Sequence, residues 1–211
     1  MRKEQRFLLL AAMFAPLLAH AAPVLTLSPA TGSISAIRGS VIGWGFTLSN
    51  PDTNFLVVTS AAFCKTTVVA GFTVCDQFPD PALGFFTDYI AQSNFIVVGP
   101  APESPIVTQA FNQILLTGIG SFAIAPAAPY GTFSGQILLT YDLYSRSPND
   151  PLFDAAADFI PPGPSGNTLT GNAAVSNVPE PGTILLAVAG VAAFARRRLS
   201  RALLRVCRNQ V

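Results

Sequence analysis

The segment that most limits how this chain can fold lies near its C-terminal end. Residues 183–195 form an uncharged apolar run of thirteen residues, and a block of three arginines follows it directly. As an α-helix the run would span about 20 Å, whereas the hydrocarbon core of a bilayer is about 30 Å thick. The pattern therefore predicts a marginal transmembrane helix over 183–195, which inserts when the arginines extend toward the headgroups. Since positive residues stay in the cytoplasm, we expect residues 199–211 to form a basic cytoplasmic tail and residue 178 to lie outside.

Two prolines shape the peptide in front of that helix. Pro179 and Pro181 each fix φ, lack an N–H donor and push the preceding residue toward extended geometry. The helix therefore cannot extend back past Pro181, and Glu180 is favourable for the helix dipole. The sequence predicts an exposed, extended peptide just above the membrane, the conformation that a membrane-embedded peptidase needs in its substrate. The residues assigned to this signal are Val178, Pro179, Glu180, Pro181, Gly182, Arg196, Arg197 and Arg198.

This arrangement resembles the PEP-CTERM sorting signal over residues 178–198. The resemblance implies an exported protein of a Gram-negative bacterium that is processed by an exosortase, and an association with extracellular polysaccharide and biofilm matrix. One departure is that the chain continues through 199–211, whereas the class usually ends within a few residues of the arginines. The alternative is a plain single-pass anchor that is never cut, in which the Pro-Glu-Pro triplet is accidental.

The N-terminal segment has the features of a secretory signal peptide. Arg2, Lys3 and Arg6 form a basic region, and residues 7–18 form an apolar one. Ala19 and Ala21 flank His20 in an A-x-A cleavage site, so we predict a signal peptide over 1–21 that is cut after Ala21. An uncleaved N-terminal helix is the alternative.

The exported region over 22–177 is acidic, although the whole chain has a formal net charge of +1. It contains three basic and nine acidic side chains, a net charge of −6, because the other nine basic residues belong to the two terminal segments. No basic stripe is left to meet phosphates, so we predict no binding to nucleic acid. The only histidine, His20, leaves with the signal peptide. This excludes histidine-based nucleophilic catalysis and imidazole metal ligands, and we expect no enzyme activity, metal or cofactor.

The cysteines suggest one disulfide in this oxidising compartment. Cys64 and Cys75 lie in the exported region, whereas Cys207 lies in the predicted cytoplasmic tail. Ala70 and Gly71 fall close to the midpoint between the first two, which predicts a hairpin pinned by a Cys64–Cys75 bridge. Two buried free thiols are the alternative.

Alternating apolar residues between turn signals predict an all-β fold. In residues 41–49, Trp44, Phe46 and Leu48 fall on one face, and the segment 39–50 loosely resembles the second strand of Ig-like domains. We predict an antiparallel β-sandwich, Ig-like or jelly-roll, flanked by a signal helix and a transmembrane helix. Residues 77–88 are predicted to be a packed loop. The predicted strands cover 24–27, 41–49, 55–64, 66–75, 95–98, 119–125, 132–144 and 168–175.

Three groups of residues leave more than one interpretation open. Trp44 is either a core anchor or a platform for stacking a sugar. Phe85, Phe86 and Tyr89, with Asp88 among them, form either an exposed binding edge or loop residues folded onto the core. A third group, spaced every four residues, is either a calcium site or a solvated acidic stretch: Asp150, Asp154 and Asp158.

The sequence thus predicts an exported cell-surface or matrix protein with a structural or adhesive role and no catalysis. Its expected partners are an exosortase, the membrane before processing and exopolysaccharide. The alternatives are a carbohydrate-binding module, which needs an exposed aromatic row, and a membrane-anchored periplasmic domain that is not processed. An enzyme would need two carboxylates that converge in a cleft.

Overall fold

The computed structural model describes residues 22–92, 95–103, 105–163 and 166–180, together with residues 182, 186, 188 and 189. The predicted signal peptide over 1–21 and the block 196–198 with its tail lie outside the described residues, as does most of the predicted helix over 183–195. The exported region is all-β, as predicted, and forms two facing sheets. Its strands are β1 (Val24–Ser28), β2 (Ser33–Ala36), β3 (Val41–Ser49), β4 (Phe55–Val69), β5 (Phe72–Gln77), β6 (Gly84–Asp88), β7 (Ile96–Val98), β8 (Ile106–Gln109), β9 (Gly120–Ile124), β10 (Gly131–Tyr144), β11 (Phe159–Ile160) and β12 (Thr168–Asn177).

The two sheets contain five and seven strands. The smaller has the order β1-β3-β9-β6, with β8 also paired to β3. The larger has the order β2-β12-β10-β4-β5, with β11 paired to β10 and β7 to β4. All the pairs are antiparallel except β2 with β12, which run parallel. This arrangement is a β-sandwich consistent with a loose Ig-like fold.

The core forms where alternating side chains of both sheets meet, as the pattern in β3 predicted. Trp44 is fully buried, and its ring centroid lies 5.1 Å from that of Phe63 on β4. Phe63 in turn packs edge-on against Phe122 of β9 at 5.9 Å. The indole Nε1 of Trp44 donates to the carbonyl of Gly32 at 2.7 Å, so its one polar atom is satisfied inside the core. The core-anchor interpretation of Trp44 is therefore confirmed, and the sugar-platform interpretation is wrong.

Gly32 is a position where the fold requires glycine. Its φ is +66°, in the left-handed region, and a Cβ there would collide with the carbonyl oxygen of Asn172 on β12. The close approach brings the turn before β2 against the strand that leads to the C-terminal segment.

The hairpin prediction is confirmed at its turn. Val69 pairs with Phe72 across Ala70 and Gly71, whose φ angles of 51° and 87° fit a two-residue hairpin turn. The strand before it is longer than expected, because β4 runs without a break from Phe55 to Val69.

The predicted loop over 77–88 is wrong in its second half. Gly84–Asp88 is strand β6, which pairs with β9 and forms the edge of the smaller sheet. Aromatic residues within a proline- and aspartate-rich stretch looked like loop residues, whereas pairing with β9 decides their conformation. Three other short strands, β2, β8 and β11, also escaped prediction for lack of an alternating pattern long enough to detect.

Candidate functional site at the end of the last strand

Strand β12 leads directly to the residues predicted to form the sorting signal. It lies between β10 and β2, so that Asn177 pairs with Gly131 on one side and Ala36 on the other. The backbone N–H of Val178 then donates to the carbonyl of Ala36 at 3.0 Å. The sheet thus holds the chain up to the first residue of the predicted signal, with no linker between them.

The side chain of Asn177 fastens this exit point. It is 7% exposed, and its Nδ2 donates to the carbonyls of Ala128 and Pro129 at 3.0 and 2.8 Å. These carbonyls belong to the loop between β9 and β10, so the amide joins that loop to the end of β12. Sequence analysis missed Asn177, because an asparagine at the end of a strand looks like an ordinary turn residue.

The residues after Asn177 leave the surface of the sandwich. Val178, Pro179 and Glu180 are exposed and adopt no regular secondary structure. Gly182, Leu186, Val188 and Ala189 are helical and exposed, whereas Pro181 and the remaining residues of the predicted helix lie outside the described residues. In the part of the chain that the structure describes, no helix has the length and apolarity needed to cross a membrane.

Comparison with known families assigns this segment. The family described as the PEP-CTERM protein-sorting motif matches residues 177–199. Residues 177–199 are a PEP-CTERM protein-sorting motif. The match begins at the last residue of β12, one residue before the start predicted from the sequence. The motif indicates an exported protein of a Gram-negative bacterium that is processed by an exosortase.

Other comparisons add little to the PEP-CTERM assignment. No curated protein sequence matches the chain. One solved structure, the crystal structure of a complex of a CaDoc0917 variant with CaCohA2 at pH 5.5, aligns with 20% identity over 74% of this chain and 100% of that one, with a TM-score of 0.26. A TM-score this low supports no inference about fold or function.

The two ends of the sandwich differ in charge. We call the end where the PEP-CTERM motif leaves, formed by 36–41, 124–131 and 177–178, the exit end. It carries Arg38, whose guanidinium lies 4.1 Å from the centre of the Tyr130 ring, while Asp80 lies in the loop approaching this end. The opposite end, which we call the far end, holds six of the nine acidic side chains: Asp52, Glu103, Asp142, Asp150, Asp154 and Asp158.

The candidate calcium ligands Asp150, Asp154 and Asp158 accept hydrogen bonds from residues of their own loop. The Asp158 carboxylate accepts from the Asp154 N–H and from the Ser145 hydroxyl, both at 2.9 Å. The Asp154 N–H, the Ser145 hydroxyl and the Arg146 guanidinium lower the pKa of Asp158, against a smaller opposing effect of burial. Asp154 accepts from two N–H groups of its own turn, and Asp150 from that of Leu152. Among the described residues, no three His, Cys, Asp or Glu side chains come together as metal ligands.

Two tyrosines near the far end have raised pKa values. Burial raises the pKa of Tyr141, and the nearby Asp52 carboxylate adds to the effect. Burial also raises the pKa of Tyr144, with a further contribution from Asp142. Both phenols therefore stay neutral at physiological pH, and the Tyr144 ring packs against Phe153 and Phe159.

The predicted aromatic edge does not form as a row. Phe85 is 62% exposed, whereas Tyr89 is buried and stacks on Phe111 with ring centroids 6.3 Å apart. Phe86 packs against Trp44 in the core. Asp88 accepts from the backbone N–H groups of Ala61 and Ile90, each at 2.8 Å, and so ties β6 to β4 across the sandwich.

A groove beside Phe85 contains an aromatic residue that sequence analysis missed. It has a volume of about 360 Å³ and is lined by Phe78, Pro79, Pro81 and Phe85 above the backbone of β4. Phe78 is as exposed as Phe85. The groove brings together the turn after β5 and the edge strand β6, which no local sequence pattern indicates.

The predicted disulfide is present between Cys64 and Cys75. Their Cα atoms are 5.6 Å apart, and the bridge joins β4 to β5 at the base of the hairpin. Cys64 is fully buried, so the bridge also fastens the hairpin to the core.

Proposed function

We propose that this protein is a non-catalytic structural or adhesive component of the extracellular polysaccharide matrix, displayed after exosortase processing. One observation carries the proposal: the PEP-CTERM motif begins at the last residue of β12, so the folded sandwich itself is the delivered product. Because no flexible linker separates the domain from the motif, the domain is fixed to the segment that is processed. Processing therefore releases or attaches a rigid unit at one defined end.

The chemistry of the described residues supports a role without turnover. The exported region has no histidine once the signal peptide is removed. Four carboxylates accept hydrogen bonds from backbone N–H groups: those of Asp52, Asp88, Asp154 and Asp158. These hydrogen bonds close turns and loops. At Asp158 the hydrogen bond from the Asp154 N–H lowers the pKa of the carboxyl and favours its charged form.

The proposal includes a route through the inner membrane. The predicted helix over 183–195 would hold the chain transiently in that membrane, with the sandwich on the periplasmic side. Exosortase processing then transfers the domain to the cell surface or the matrix. The acidic far end faces away from the membrane in this arrangement and keeps an apolar protein soluble.

A carbohydrate-binding module is the second candidate, and the groove beside Phe85 favours it. Phe78 and Phe85 both line that groove and have exposed aromatic rings. Sugar rings stack on aromatic faces, so this pair offers one short platform. Trp44 and Tyr89, which the sequence left open as exposed aromatic residues, are buried and do not extend this platform.

A complementation experiment separates these functions. The gene is deleted in the native strain, and matrix cohesion is measured as the shear stress that detaches a biofilm. We expect the deletion to weaken cohesion and the natural chain to restore it, whereas the triple variant Pro179→Ala, Glu180→Ala, Pro181→Ala fails to do so. The pair Phe78→Ala and Phe85→Ala should restore cohesion if the role is structural and fail if sugar stacking carries it. Unchanged cohesion in the deletion strain would overturn the matrix role.

A further inference from the structure

The outer edge of β5 is an open strand edge. β5 ends the seven-stranded sheet and, among the described residues, pairs with β4 alone. In a two-residue hairpin the residues that flank the turn, Val69 and Phe72, form a hydrogen-bonded pair, and the pattern then alternates. The N–H and C=O groups of Thr73 and Cys75 therefore point away from β4. Two residues thus present both backbone donors and acceptors at this edge.

The hairpin has few of the features that keep natural strand edges from pairing, and the one irregularity in its pairing lies at its base, where Asp76 has no partner on β4. Residues 66–75 contain no charged residue and no proline. Phe72 and Val74 are 47% and 39% exposed, and Val69 on β4 is 58% exposed on the same face. Proteins normally protect edge strands with lysine, proline, bulges or a covering segment. Gly166 lies against the Phe72 ring, but no described strand pairs with the outer edge of β5 at Thr73 and Cys75. A strand edge of this kind, held in shape by a disulfide, is suited to pairing with another strand.

We propose that β5 pairs with β5 of a second copy of this chain, antiparallel about a two-fold axis at Val74. This register places Thr73 of one copy opposite Cys75 of the other, and the reverse, so that four backbone hydrogen bonds form. The apolar face of Val69, Phe72 and Val74 then continues across both copies. The result is a sheet that runs from one sandwich into the next.

Charge favours a second copy as the occupant of this edge. Each exported region carries a net charge of −6, so two copies repel one another over most of their surfaces. The hairpin 66–75 is a neutral face through which they approach without that cost. In the proposed register Asp76 lies opposite Phe72 of the other copy, four positions from the other Asp76. That is about 13 Å along the strand, beyond the screening length of about 8 Å.

The inference rests on the proposed structural role, since self-association is how such a component would extend through a matrix. It is also separable from that role. Deletion of a protein that binds the matrix as a monomer would still weaken cohesion in the experiment described above, and a dimer could form in a protein with no matrix function.

Sedimentation velocity of the processed protein purified from the culture matrix tests the inference. We expect dimers in a concentration series, and a dissociation constant at least about tenfold higher in Val74→Lys, because two lysines then lie directly opposite each other. Val74→Glu should weaken the dimer likewise. An equimolar mixture of Val74→Lys and Val74→Glu should restore pairing, since opposite charges then face each other at the two-fold axis.

Two further variants control this test. Ile114→Lys changes a 91% exposed apolar residue elsewhere on the surface and should associate like the natural protein. Thr73→Pro removes an outward donor and should dissociate the dimer. Melting temperatures of all variants show whether the fold is kept. A natural protein that stays monomeric throughout, or a Val74→Lys variant that associates normally, would overturn the inference.

Discussion

A buried asparagine closes each end of the sandwich, but the two ends differ in charge and in the segments around the asparagine. At the far end Asn50 is fully buried, and its Nδ2 donates to the carbonyls of Asn54, Val98 and Gly99 at 2.7, 3.3 and 3.2 Å. At the exit end Asn177 makes two such bonds, to Ala128 and Pro129. Each amide satisfies carbonyls of loops that no strand partner reaches.

The two ends differ in charge, and the chain continues into the PEP-CTERM motif at only one of them. The far end holds most of the carboxylates, whereas the chain leaves the exit end toward the PEP-CTERM motif from a strand that is paired on both sides. Most of the acidic side chains lie at the end opposite the one from which the chain continues into the motif.

The substitution Asn50→Ala at the far end should have the largest effect on stability. Two buried carbonyls and one part-buried carbonyl lose their donor, so the free energy of unfolding should fall by about 3 kcal/mol. This lowers the melting temperature by about 9 °C in a domain of this size. Calorimetry of the exported protein measures both. Asn149→Ala, an exposed asparagine at the same end, is the matched control and should change little. Equal stabilities for the two variants would show that Asn50 does not hold the far end together.

The exit end should respond less to Asn177→Ala. Two carbonyls lose a donor, and we expect a loss of about 2 kcal/mol in the free energy of unfolding. Hydrogen exchange should also become faster at the Val178 amide, because the strand end loses its attachment to the loop between β9 and β10. Asn172→Ala, on the same strand but exposed, serves as the control. If Val178 exchanges at the natural rate, the asparagine does not fix the exit point.

The smallest effect concerns the acidic loop at the far end and depends on pH. The pKa of Asp158 is lowered in the folded protein, so its contribution to stability is present above the unfolded value of about 3.9 and is lost as the pH falls through the lowered pKa. The natural protein should therefore be more stable than Asp158→Asn at pH 7, with the difference shrinking toward pH 2. Urea unfolding at both pH values measures it. A constant difference would place the effect of Asp158 in packing rather than in charge.

The fold could be predicted from the sequence where alternation and turns are local. Trp44, Phe46 and Leu48 mark β3 by their period of two, and Ala70-Gly71 marks the hairpin turn. Strand β6 was missed because its pairing partner β9 lies more than thirty residues away in the chain. Long-range pairing of this kind leaves no periodic signal in a stretch of five residues.

The candidate functional site likewise has one part that the sequence indicates and another that only the fold reveals. The PEP-CTERM motif is a continuous segment whose prolines and arginines act through their local properties, so the sequence alone indicated it. The roles of Asn50 and Asn177 and the gathering of six carboxylates at one end arise from the topology. The exposed edge of β5 is likewise defined only by the absence of a neighbouring strand among the described residues.

Mass spectrometry of the mature protein from its native cells, with and without the exosortase, tests the central claim most directly. With the enzyme present, we expect an N-terminus at Ala22 and a C-terminus near the Pro179-Glu180-Pro181 triplet. Without the enzyme, the chain should retain the residues through Val211. A C-terminal segment that persists in both strains would contradict processing and leave a membrane-anchored periplasmic domain.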